Sequence, residues 1–213
     1  MLSSVEEMVL LQLAGRDKQN ELPEAANIVL AGAVMVDLAL LKRIDSDLNR
    51  LFVDDPQSTG DGILDHALSI LVETAQASRI SPAIERLNLK TSDAIMGVTV
   101  HAPRYRESAL RRLIQRGIVR EEANQSPVRH LVVDDSAERQ VRARLRHLIL
   151  SDEIPDPRDV LLLSLIDACG LLGLVLPIDE IGSQRQRIEQ LTRLDLLGQA
   201  MTKVVSVVRS TLQ

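Results

Sequence analysis

Residues 23–43 read PEAANIVLAGAVMVDLALLKR. Pro23 suits the first turn of a helix, where its missing N–H would have no partner anyway. Glu21 and Glu24 stand at the positive end and Lys42 and Arg43 at the negative end, as the helix dipole favours. Between them, Ile28 to Leu41 is apolar on every side, with Asp37 the one charge. A surface helix shows one apolar stripe; a helix that is apolar all round is buried. This stretch therefore predicts a central helix enclosed by others, and a mainly α protein.

Working outward, Ser4-Val5-Glu6-Glu7 predicts a short N-terminal helix, with Ser4 as N-cap and Glu7 at N3 of a capping box. Gly15 and a polar run over 16–21 make a turn. Residues 43–53 predict a small β-hairpin, and 55–62 a polar loop. Residues 63–78 return to helical period through Leu64, Ala67, Leu68, Leu71 and Val72. Pro82 predicts the start of a short helix carrying Ile84 and Leu87. Residues 91–101 fit neither helix nor strand clearly. Residues 104–116 predict a basic amphipathic helix with Leu110, Leu113 and Ile114 inward and Gly117 as its C′ residue. Short strands are expected at 118–120 and 129–133, and a second basic helix over 134–150. Asp156-Pro157-Arg158-Asp159 is a helix start with Asp156 as cap. The apolar stretch 160–176 follows, interrupted at Gly170 and Gly173, and amphipathic helices over 183–197 and 198–212 close the chain. The expected fold is mainly α: one domain over residues 1–213, with buried apolar central helices, amphipathic helices around them and small β-hairpins.

The composition narrows the function. Of 213 residues, 45% are hydrophobic, enough for a sizeable core. One Phe, one Tyr and no Trp leave few rings for an aromatic nucleic-acid platform. The net charge of −5 hides a division: residues 101–147 hold eleven Arg, no Lys and six acids, a net +5, and the rest carries −10. Such asymmetry suggests a basic surface on an acidic body. Cys169 has no second cysteine to pair with, which fits a reducing compartment. The N-terminus lacks the basic and apolar regions of a signal peptide, and 160–176 falls short of the ~20 residues of a membrane span. A cytoplasmic location is expected.

Most chemical motifs are absent, among them a Walker A loop, G-x-G-x-x-G, H-E-x-x-H, G-x-S-x-G and C-x-x-C. Asp45-x-Asp47-x-Asn49 opens like a calcium loop but has Arg50 and Pro56 where Gly and Glu are required. His66, His101, His130 and His147 fall at no metal-ligand spacing. Cys169 lies in an aliphatic stretch and reads as a buried thiol. Asp61, Asp65 and His66 could form a hydrolytic site. The competing reading makes Thr59 or Asp61 a helix cap, with Asp65 favouring the helix N-terminus.

The arginines are the main signal. Arg104, Arg106, Arg111, Arg112 and Arg116 crowd one helix; Arg139, Arg142, Arg144 and Arg146 crowd another. Arg forks onto phosphate and is less strongly hydrated than Lys. Three readings stay open: anionic lipid headgroups, DNA bound by a winged-helix arrangement of helix 104–116 and hairpin 118–133, or a solvated face with acid partners such as Glu107 and Glu138.

Three blocks resemble the Golgi phosphoprotein 3 family. The first is Leu30-Ala31-Gly32-Ala33-Val34-Met35-Val36-Asp37-Leu38-Ala39-Leu40 followed by Arg43-Ile44. The second and most specific is Thr59-Gly60-Asp61 with Leu64-Asp65 and Ala67-Leu68. The third is 113–119, LIQRGIV. The resemblance spans nearly the whole chain and suits a prokaryotic member. It implies a mainly α-helical fold, peripheral membrane association through phosphatidylinositol 4-phosphate, and adaptor contacts to cytoplasmic tails of membrane proteins. It implies no enzymatic activity, cofactor or metal, and nucleic acid is not the expected partner. The family's phosphate pocket maps in part. Its Trp falls at Leu22, its helix Arg at Ala31, one Arg at Arg106, and the other at Pro103 beside Arg104. The expected headgroup site is Arg104, Arg106, Arg111 and Arg112, as a less selective anionic-lipid surface. The counterpart of the family's self-association hairpin, residues 120–133, is expected to form weak homo-oligomers through exposed strand edges.

Overall fold

Twelve residues near the N-terminus form the most enclosed helix of the protein. In the computed structural model, which describes residues 1–15, 23–47, 49–77, 87–122 and 128–193, helix α1 (Ser4–Gly15) is buried at every position but Ala14. It packs against α2 (Pro23–Leu40), the long apolar helix, whose residues from Ile28 to Val36 contribute eight buried hydrophobic side chains. The expected central helix is thus there, but it shares the centre with α1. A side chain at Gly15 would meet the end of Leu174 and force it to shift, so glycine lets α1 approach the 3-10 turn Leu172–Leu174 closely.

Burying α1 encloses Ser4, Glu6, Glu7 and Gln12 as well. Each of these side chains reaches a partner on another part of the fold, though Glu6 Oε1 is buried without a hydrogen bond. The capping box forms one residue earlier than expected: Ser3 Oγ accepts the Glu6 N–H at 3.2 Å, and the Glu6 carboxylate accepts the Ser3 N–H at 2.7 Å. This releases Ser4 and Glu7 for tertiary contacts. Ser4 donates its N–H and hydroxyl to Asp37 of α2 at 2.9 and 2.5 Å. Glu7 takes Arg144 at 2.9 Å and Arg158 at 3.4 Å.

After α2 comes a three-stranded antiparallel sheet. Strands β1 (Ile44–Ser46) and β2 (Arg50–Val53) are the expected hairpin, with Ile44 opposite Val53. The third strand, β3 (Leu87–Lys90), pairs Leu89 with Leu51. The short helix expected to run from Pro82 through Leu87 is corrected at Leu87, which is strand. Leu89 is buried while Leu87 is half-buried, a period-2 placement that ladder bonds to β2 reward. Pro82 and Ile84 lie outside the described residues, as do Leu22 and the helix expected over 198–212.

Helix α3 (Gly62–Ala77) follows the polar loop. The ambiguous stretch resolves as α4 (Thr91–Thr99), which buries Thr91, Ala94, Ile95 and Val98 at helical spacing. The basic helix is α5 (Ala102–Gln115). It leads through Gly117 into the hairpin of β4 (Val119–Glu122) and β5 (Arg129–Val132). The second basic helix is α6 (Ser136–Leu150). Then come α7 (Pro157–Ala168), capped as expected by Asp156 accepting from the Arg158 N–H, and α8 (Ile178–Thr192). Among the described residues, no helix is long and apolar enough to cross a membrane.

Helices α2, α5 and α7 stop in the same way. A residue with positive φ donates to the carbonyl three back, and the next residue to the carbonyl five back. Gly117 and Gly170 fill that position in α5 and α7. In α2 it is Lys42, at φ 55°, where a Cβ is disfavoured by roughly 1 kcal/mol or more. We expect Lys42→Gly to stabilise the protein by about 0.5–1 kcal/mol, since glycine removes that strain but also loosens the unfolded chain. A lowered midpoint of urea unfolding would contradict this. Arg144→Ala strips the buried carboxylates of Glu7 and Asp159 of a shared, half-buried partner, and should cost about 3–5 kcal/mol in the same measurement.

Candidate functional site

Helix α5 buries Ala102, Tyr105, Ala109, Leu110 and Leu113, and turns Pro103, Arg104, Glu107 and Arg111 to solvent. The sequence therefore places two arginines seven residues apart on the open face, about 10 Å along the axis. The four candidate arginines divide into two kinds. Arg104 is exposed, and among the described residues no carboxylate pairs with it. Arg111 is exposed and touches Glu107 only at 3.9 Å, with a hydrogen bond to Ser108 Oγ at 3.4 Å. Arg106 is half-buried and donates to Gln12 of α1. Arg112 forks onto Asp61 at 2.6 and 3.0 Å. The structure thus leaves Arg104 and Arg111 on the surface and holds Arg106 and Arg112 in tertiary contacts.

Asp61 explains the Thr-Gly-Asp string. Its Oδ1 accepts the N–H groups of Ile63 and Leu64, the first free donors of α3, and both its oxygens accept from Arg112. Burial opposes its ionisation, but the Arg112 fork and the helix N–H groups outweigh it and hold the carboxyl below its usual range. Asp65 accepts from Ser58 Oγ, Thr59 N–H and Thr59 Oγ1 at 2.6, 2.6 and 2.7 Å, which lowers its own pKa. Gly60 turns the loop at φ 82°. The capping reading holds. Asp61, Asp65 and His66 face three different partners, since His66 Nδ1 lies 3.2 Å from the Tyr105 hydroxyl. They do not assemble the hydrolytic site that sequence spacing allowed.

The other basic helix is occupied. Arg139 pairs with Asp135 at 2.7 Å, Arg142 with Glu138 through Nε at 2.8 Å, Arg144 with Glu7 and Asp159, and Arg146 with Glu180 at 2.9 Å. Arg116 reaches Glu6 at 3.5 Å. On this helix the solvated-face reading is half right. The local partners are there, but Arg144 also clamps α1 and α7. Cys169 is buried, as expected. Among the described residues no group of three His, Cys, Asp or Glu side chains could hold a metal.

Sequence reasoning missed one cluster. His66 of α3 meets His101, just before α5, with ring centroids 4.9 Å apart and nearly perpendicular; Tyr105 is 5.7 Å from His66. The two histidines are far apart in the chain, and no motif joins them. The turn also exposes apolar groups. Val100, at the turn, is 72% exposed and Met96, near the end of α4, is 45% exposed, four and eight residues before Arg104 in the chain.

Of the family-pocket positions, Ala31 is fully enclosed in the core and Pro103 is exposed. No individual curated protein matches the chain. The Golgi phosphoprotein 3 (GPP34) family matches it over residues 5–208. That match covers the enclosed α1 and α2, the Asp61 cap and the basic helices, and the chain belongs to the Golgi phosphoprotein 3 family.

Proposed function

We propose that the protein is a peripheral, non-catalytic adaptor that binds anionic phospholipid headgroups at the exposed face of α5. Arg104 and Arg111 are the headgroup ligands. Arg106 stands at the edge of the surface, and Arg112 holds α5 in place through Asp61. One observation carries this reading. In a basic segment whose other helical arginines mostly face carboxylates, Arg104 projects from the first turn of α5 without one among the described residues, and Val100 and Met96, just before it in the chain, are exposed. Cations next to shallow apolar side chains suit the headgroup boundary of a membrane. Family membership supports the same reading, since this family is known for phosphatidylinositol 4-phosphate-binding adaptors. Enclosed Ala31 argues for a less selective phosphate surface than that lipid requires. The location that follows is the cytoplasmic face of a membrane, with cytoplasmic tails of membrane proteins as further partners.

The test is co-sedimentation of the full chain with phosphatidylcholine vesicles with and without phosphatidylglycerol. Binding should require the anionic lipid and weaken with salt. Each arginine near the surface adds roughly 1 kcal/mol, so the double change R104A/R111A should weaken binding at least tenfold. Unchanged binding would overturn the site. R112A should instead cost about 1–3 kcal/mol of stability by stranding Asp61. A gel shift with duplex DNA that outcompetes vesicles would favour the winged-helix reading, which the hairpin after Gly117 also fits.

The β4–β5 hairpin exposes Val128, Leu131 and Val133 together with open strand edges, which supports weak self-association through it. Sedimentation velocity should show a concentration-dependent dimer that L131E abolishes. A monomer at the highest soluble concentration would refute it.

A further inference from the structure

We propose that a headgroup phosphate held beside Arg104 binds together with a proton on His66, so that binding tightens as pH falls through the histidine range. This rests on the headgroup reading above and names how that site is regulated.

The geometry brings three basic side chains to one turn: His66, His101, and Arg104, whose N–H donates to the His101 carbonyl at 3.0 Å. His66 projects from α3 onto the start of α5. There it meets the edge of His101 at 4.9 Å between ring centroids, and its Nδ1 lies 3.2 Å from the Tyr105 hydroxyl. Tyr105 is 1% exposed, and burial drives its pKa upward, so the phenol keeps its proton and can donate it to Nδ1 of a neutral ring. If Nδ1 takes a proton from solvent, the phenol oxygen becomes the acceptor and the contact survives. His66 and His101 are themselves only half-buried, so solvent can supply that proton.

What holds His66 neutral is chiefly burial, then the charge of Arg104, then His101; Glu73 on the same helix pulls the other way. Helices α2 and α4 and strand β3 also pack against α3, but no charged group of theirs acts on the ring among the described residues. An anion beside Arg104 cancels the repulsion that opposes the imidazolium. By linkage, the protonated ring then favours the anion by the same factor. One linked proton strengthens binding up to about tenfold per pH unit between the free and bound pKa values.

The chemistry read here is a phosphate group, which a lipid headgroup or free phosphate could supply. The experiment follows vesicle binding of the full chain from about pH 8 to about pH 5.5, the window in which imidazole titrates. Phosphatidylglycerol is the anionic lipid because its phosphodiester does not titrate there. Wild-type binding should tighten about fivefold or more towards low pH. H66Q, whose amide can still accept from Tyr105, should bind like wild type at the alkaline end and rise less than wild type towards low pH. H101Q leaves the Tyr105 contact intact and removes one group that opposes the His66 proton, so its rise should move to higher pH; this variant decides the matter if H66Q does not fold. NMR titration of the wild-type His66 ring with inorganic phosphate separates the sources. A raised pKa shows that the phosphate group suffices, and an unchanged one beside pH-dependent vesicle binding assigns the effect to the membrane headgroup. Wild-type binding that ignores pH, or an equal slope in H66Q, overturns this inference and leaves the headgroup reading standing. No vesicle binding at any pH overturns both.

Discussion

Glu6 and Glu7 are adjacent acids, 1% and 2% exposed, in the middle of a helical bundle. An unpaired charge in such a place costs several kcal/mol, so the surroundings of α1 are not free to vary. Arg116 must come from the end of α5, Arg144 from α6 and Arg158 from α7, and Asp159 must share Arg144. Burial still pushes Glu7 upward, against the pull of Arg158 and Arg144. Three helices distant in sequence are therefore placed by two carboxylates. The apolar packing of α1 on α2 supplies the driving force, and the ion pairs select which helices may pack, and where.

This alters what the charge division means. A segment at +5 beside a body at −10 reads as a surface awaiting a polyanion. In the folded protein much of it is an internal complementarity, with Arg112, Arg116, Arg144 and Arg146 answering Asp61, Glu6, Glu7 and Glu180. The surface signal is what remains after those pairs are removed: Arg104 and Arg111 on α5, with Arg120 and Arg129 exposed on the β4 and β5 strands that follow. The preference for Arg over Lys also gains a structural reason. Arg144 makes two directed bonds to two carboxylates, Glu7 and Asp159, which a point-charge ammonium does poorly.

The parts of the fold that depend on local physics were legible from sequence. All-round apolarity placed α2, apolar periodicity placed α3 and α5, Gly117 placed the end of α5, and Asp156-Pro157 placed the start of α7. Errors arose where two local choices were nearly equal or where the partner was remote. Ser3 and Ser4 are equivalent as caps on paper. Asp37, thirty-three residues away, claims Ser4 and shifts the box by one. Leu87 is assigned to a strand by β2, which lies far upstream. The site followed the same rule. The clustering of α5 arginines was visible, but not which of them would be consumed, because Arg116 and Glu6 are 110 residues apart.

The same reasoning bears on what α5 can recognise. The proposed headgroup surface, made of arginines left over from structural pairing, has a fixed backing: Tyr105, Ala109 and Leu113 are locked in the core, and Arg112 is tied to the α3 cap. Its ligands therefore sit on a rigid helix, which limits the entropy lost on binding. Two arginines about 10 Å apart along that helix cannot close on one small phosphate as a pocket does. They suit a plane of repeated anionic groups, each taken singly, beside apolar tips such as Val100 that a headgroup layer can receive. Selectivity for one phosphorylated headgroup would need a third ligand converging from α2, and at that position the core has enclosed Ala31.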